Sequence, residues 1–98
     1  MAELWTDAEL QACVEAYAKL LREQPNAASV PKKDMLDRLQ TGPLKSRTKG
    51  SIEYRMANIS AVMEEHGREW LRGYVPARNV GPTNSSKIAK MLKAEGLI

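Results

Sequence analysis

Apolar residues recur at intervals of three and four in four separate stretches of this chain, the period of an amphipathic helix. The first stretch opens on Thr6-Asp7-Ala8-Glu9, a capping box in which the Thr6 hydroxyl accepts from the Glu9 amide while the Glu9 carboxylate returns to the Thr6 amide. Leu10, Cys13, Val14, Tyr17, Leu20 and Leu21 form one stripe behind it, which predicts a helix over about 6–24, stopped before Pro25. The small, polar run 25–30 reads as a loop. Pro31 suits the first turn of a second helix over about 31–41, because its missing N–H costs nothing there. Met35, Leu36 and Leu39 are the buried face of that helix, and Gly42-Pro43 is its stop.

The run 44–50 reads as a basic loop into a third helix over about 51–66, capped by Ser51 or Thr48. Ile52, Met56, Ile59 and Met63 mark a single apolar face on it, flanked by Ala57, Ala61 and Val62, and Gly67 ends it. Trp70 and Leu71 are then expected to cover the core. Residues 73–83 hold glycine and proline breaks too closely spaced for helix or central strand, so they read as an ordered loop. A short last helix over about 85–95, opened by Ser85 or Ser86 and closed by Gly96, sets Ile88, Met91 and Leu92 against Lys87, Lys90 and Lys93. With no strand pair and no repeat, the expectation is one all-α domain over 1–98. It is a compact bundle of three main helices of helix-turn-helix or Myb type, with an ordered loop and a short C-terminal helix.

Composition narrows the function more than the fold. The chain has 98 residues, 43% hydrophobic and 28% charged, which suits one small folded module and leaves little room for a large active-site cleft. Aromatics are 5% with no Phe, so Leu, Ile, Val, Ala and Met are expected to pack around Trp5, Trp70 and the three tyrosines. No apolar run reaches a membrane span, and the first residues carry acids where a secretory signal carries bases, so a cytoplasmic protein is expected. Cys13 has no second cysteine to pair with and falls on the first apolar stripe, where it reads as a small core residue. His66, the sole histidine, follows Glu64 and Glu65 at a helix end; three consecutive side chains fan around a helix and cannot converge on a metal, so His66 reads as a cap. The glycines form no phosphate loop. No metal, no cofactor and no enzymatic activity are expected.

The net charge of +3 hides a polarised chain, with −3 over residues 1–23 and +6 over residues 24–98. The densest basic stretch, 32–49, sets Lys32, Lys33, Arg38, Lys45, Arg47 and Lys49 against only Asp34 and Asp37. Such a surface suits phosphate, though acidic and basic halves can equally steer a protein partner. In a helix-turn-helix arrangement the third helix enters the major groove and its basic approach clamps phosphate. Lys45, Arg47 and Lys49 are then the phosphate contacts. Arg55 and Asn58 are the base or backbone readers, since Arg suits guanine and Asn suits adenine; Asn58 can equally bond the backbone of a neighbouring loop. Tyr74, Arg78 and Asn79 form a possible secondary contact loop, in which Tyr74 either plugs the core or offers a platform for a base and Asn79 either closes the loop backbone or offers a hydrogen-bonding edge.

The words WTDAEL near the start, SRTKGSIEYRMANISAVMEEHG in the middle and GYVPARNVG after it, in that order from Trp5 to about Gly81, resemble the N-terminal head domain of McrA-like HNH restriction endonucleases. The resemblance implies transactions with double-stranded DNA in defence against foreign DNA. It does not bring the nuclease, because one histidine cannot build an HNH centre. Either a fragment of a longer enzyme or a free-standing relative fits. The leading expectation is a small non-catalytic DNA-binding module. The alternative is a protein-interaction domain, such as a phage-encoded inhibitor or adaptor, docking on a nuclease or other defence protein through the polarised charge and exposed apolar residues such as Val75 and Val80.

Overall fold

The computed structural model describes residues 4–24 and 32–98. The expected loop at 25–30 and the placing of Pro31 in a first helical turn lie outside the described residues.

The capping box forms as the sequence predicts. The Glu9 amide donates to Thr6 Oγ1 at 3.1 Å and the Thr6 amide donates to Glu9 Oε1 at 2.9 Å, opening α1 (Asp7–Glu23). Its stripe of Leu10, Cys13, Val14, Tyr17 and Leu20 is buried. α2 (Lys32–Gln40) buries Met35, Leu36 and Leu39. The connection 41–48 is a succession of turns folded back on that helix: the Gly42 and Leu44 amides both donate to the Leu39 carbonyl, and Leu44 is fully buried. The run 44–50 is therefore not simply a solvated basic loop, and its length exceeds the roughly three or four residues of a helix-turn-helix turn.

Thr48, not Ser51, caps α3 (Lys49–Glu65), accepting the Ser51 amide at 3.1 Å. The helix begins two residues before the expected start and does not present a single apolar face: Asn58, Ile59, Ser60, Ala61, Val62 and Met63 are all buried. Periodicity marks the stripe that one neighbour covers, whereas this half of α3 is covered from several sides. His66 caps its C-terminus, with Nδ1 2.9 Å from the Val62 carbonyl. Gly67 follows at φ +68°, a left-handed conformation that glycine takes without strain.

The segment after α3 is ordered and largely structural. Leu71, Tyr74 and Val80 are buried in it, so Val80 is part of the core and not the exposed docking residue expected, and the Ala77 amide donates to the Ala57 carbonyl. The expectation for the aromatics is corrected here. Tyr17 and Tyr74 lie in the core, but Trp70 is 36% exposed, Tyr54 is exposed and Trp5 is half-buried. Gly81, at φ +84°, turns the chain into α4 (Pro82–Ala94), which begins three residues earlier than its serines suggest, on Pro82. Ile88 and Leu92 are buried, and Gly96 closes the helix as expected.

The molecule is all-α among its described residues, with four helices in the predicted order. Their grouping differs from the expected trio. α1, α3 and α4 each pack on the other two, while α2 touches α1 and α3 but not α4. The C-terminal helix is thus a full member of the core. Tyr17 ties the layers together at the centre: its hydroxyl is 2.8 Å from Ser60 Oγ on α3 and accepts the Leu71 amide at 2.8 Å. Both bonds are buried, so each is costly to leave unmade. No helix among the described residues is long and apolar enough to cross a membrane.

Candidate nucleic-acid interface

Arg47 sits where the turn 41–48 passes the start of α1. Its guanidinium grips Glu9 with two nitrogens, Nε to Oε2 at 2.8 Å and Nη2 to Oε1 at 2.7 Å, and Nη2 also donates to the Leu4 carbonyl. The arginine side chain is only 10% exposed. A bidentate pair of this kind is among the stronger charge-assisted contacts, and it holds the Glu9 carboxyl down at about 2, well below its ordinary value. The guanidinium carbon also stands 5.0 Å from the centroid of the Trp5 ring. The phosphate contact expected of Arg47 is thereby corrected. Its donors face a carboxylate of its own chain, and Glu9 joins two jobs, helix capping and ion pairing across the fold.

Arg55 approaches the same indole, again at 5.0 Å from the ring centroid. Its Nη1 donates to Asn58 Oδ1 at 3.1 Å, its Nε is buried with no hydrogen-bond partner, and burial lowers its pKa. Asn58 is fully buried and spends its other end on the loop, Nδ2 donating to the Ala77 carbonyl at 2.9 Å. Of the two uses open to Asn58 in the sequence, loop bonding is the one realised, and a base-reading role is corrected: no edge of the amide reaches solvent.

Lys45 and Lys49 are exposed and make no ion pair among the described residues. They bracket the N-terminal end of α3, whose first turn contains no acid. The partial positive charge of that helix end adds to theirs. Tyr54, one turn along, is 49% exposed and stands on the part of α3 that solvent reaches.

In the secondary loop, Tyr74 is buried, its hydroxyl has no hydrogen-bond partner among the described residues, and burial pushes its pKa up to about 12. Lys32 Nζ lies 4.4 Å from its ring centroid and donates to the Gly73 carbonyl at 2.8 Å. Tyr74 is therefore the core plug, not a platform for a base, and Lys32 is its lid. Arg78 is exposed but chelated by Glu64 on α3, with Nε to Oε1 at 2.8 Å and Nη2 to Oε2 at 2.9 Å. Asn79 is exposed. The roles of Glu9, Glu64 and Lys32 escape the sequence, because each pairs with a residue far away in the chain and no periodicity carries that information.

Burial drives the Cys13 thiol up to about 12, so it remains a protonated core residue and not a nucleophile. No group of three or more potential metal ligands comes together among the described residues. Compared with protein-family models, curated proteins and solved structures, the chain matches none.

Proposed function

We propose that the chain is a small, non-catalytic DNA-binding module, whose phosphate contacts come from Lys45 and Lys49 at the exposed end of α3. One observation carries this reading: in the basic stretch 32–49, Lys32 and Arg47 are tied into the fold and Lys33 and Arg38 are exposed on α2, whereas Lys45 and Lys49 stand in water at an acid-free helix N-terminus. Lysines so placed neutralise backbone phosphates without reading sequence. The resemblance to the head domains of McrA-like HNH restriction endonucleases supports a setting in restriction and defence, in the cytoplasm, with double-stranded DNA as the partner. A helix lying deep in the major groove is not part of the proposal, because the second half of α3 is enclosed.

The test is fluorescence anisotropy of a labelled duplex of about 20 base pairs at several salt concentrations, with plain and modified DNA. Binding is expected to weaken with salt, and the double variant Lys45→Ala/Lys49→Ala is expected to lower the salt slope by up to about 2. An unchanged slope sinks the assignment. The alternative reading, docking on a nuclease or other defence protein, is favoured by Val75, an apolar side chain 77% exposed on the ordered loop. In that case Val75→Asp abolishes co-purification with the partner and leaves any DNA binding untouched.

A further inference from the structure

Three cationic side chains and no carboxylate line a cavity of about 570 Å3 at the corner where Trp5, α3 and the start of α4 meet. Trp5, Ser51, Arg55, Thr83, Asn84 and Lys87 form most of its wall. Two of its three cations are already neutralised, Arg47 by Glu9 and Lys87 by Asp7 at 2.8 Å. Arg55 is not: it pairs with no acid among the described residues, and the indole beneath it supplies only part of the compensation a carboxylate would. An arginine does not escape by losing its proton, so this partly buried charge awaits an anion. The adjoining end of α4 adds to the same field, having neither an acid in its first turn nor a side-chain cap. The groove between α1 and α2 contrasts with it, since Glu15, Glu23 and Asp34 there outnumber Lys19 and Arg38 and offer an anion no positive field.

We propose that this cavity binds a phosphoryl group, held by Arg55, the Ser51 hydroxyl and the open turn at Thr83 and Asn84, with Trp5 as one wall. Its volume falls within the range of small-ligand sites, so the group can arrive as a free phosphate monoester or as a phosphate of a nucleic-acid backbone. The site does not involve Lys45 or Lys49 and stands whether or not those residues bind DNA.

The experiment is titration of the whole chain with inorganic phosphate and with thymidine 5′-monophosphate at constant ionic strength and about pH 7, read by backbone amide shifts. Saturable shifts are expected at Ser51, Arg55, Thr83 and Asn84, and Arg55→Gln weakens binding by about tenfold or more. Because Arg55 also touches Asn58 and Trp5, a second variant separates binding from folding. Asn84→Asp places an acid in the first turn of α4, which favours the helix, so thermal stability is expected to hold or rise while phosphate binding is lost. No saturable shift up to about 10 mM, or undiminished binding by Asn84→Asp, overturns the proposal. The same two variants on a DNA duplex identify the source. Parallel loss of duplex affinity upholds the site with a backbone phosphate as its ligand; unchanged duplex affinity beside lost phosphate binding upholds it with a small phosphorylated ligand. A chain that binds phosphate but no duplex counts against the DNA reading and not against this site.

Discussion

Arg47 and Arg55 stand at the same distance from the same indole, yet they are opposite kinds of residue. Arg47 has a carboxylate gripping two of its nitrogens; Arg55 has an amide oxygen and a buried nitrogen with no partner. The first is a staple holding the turn 41–48 to the start of α1. The second is a charge the fold encloses without completing. Within one corner of a small domain, the presence of one acid decides whether an arginine stabilises structure or remains open to a ligand.

The largest expected effect follows from breaking the staple. Arg47→Ala leaves the part-buried Glu9 carboxylate without its counter-ion, held only by the Thr6 amide, and is expected to cost about 3 kcal/mol in a denaturant titration. Arg55→Ala removes a hydrogen bond to an uncharged amide oxygen and a ring contact but also an uncompensated charge, so about 1 kcal/mol is expected. Equal costs for the two would break the contrast drawn between them.

A comparable loss, about 2 kcal/mol, is expected for Tyr17→Phe, because the buried Leu71 amide and Ser60 hydroxyl both lose their partner. That variant calibrates the corner against the centre of the core. A cost well below that of Arg47→Ala means the staple at the edge matters more than the polar link between α1, α3 and Leu71.

Acid sharpens the comparison further. Glu9 is held at about 2, chiefly by its bond to Arg47, against an ordinary value of 4.5. A carboxyl depressed in this way stabilises the fold fully above its unfolded value and loses that contribution as pH falls from about 4.5 towards 2. Glutamine still completes a capping box, so Glu9→Gln separates the two jobs of the residue. The wild type is expected to lose up to about 2 kcal/mol more than Glu9→Gln across that interval, in chemical denaturation at stepped pH. Identical pH profiles would mean that the ion pair contributes nothing and that only the cap counts.

The helix-starting grammar at Thr6 was legible because a capping box is local, four consecutive residues satisfying each other. The start of α4 was not, for the converse reason: Gly81 and Pro82 open it without a side-chain cap, so Ser85 and Ser86 drew the boundary inward. Asn58 and Val80 show the limit of periodicity. Nothing within a turn of either announces burial; the segment 71–80 folds across the second half of α3 and encloses both. Trp70 errs in the other direction, a large aromatic that stands partly in solvent. For the site, residue type marked out the basic stretch, but which of its cations remain in water depended on partners at sequence distances that no pattern spans. Arg47, flanked by Lys45 and Lys49, was indistinguishable from them until Glu9 came to meet it.

The smallest expected effect on stability is therefore the most informative for function. Lys45 and Lys49 are exposed and make no ion pair among the described residues, and replacing both with Ala should change stability by no more than about 0.5 kcal/mol, read as an unmoved denaturation midpoint. Removing Arg47 should have the reverse profile, a marked loss of stability with the salt slope of DNA binding unchanged at temperatures where the variant remains folded. If the lysine variant instead unfolds early, those side chains belong to the fold as Arg47 does, and the exposed end of α3 loses its claim on phosphate. If it stays stable and loses DNA, the division holds: Arg47 holds the turn in place, and the lysines on either side of it do the binding.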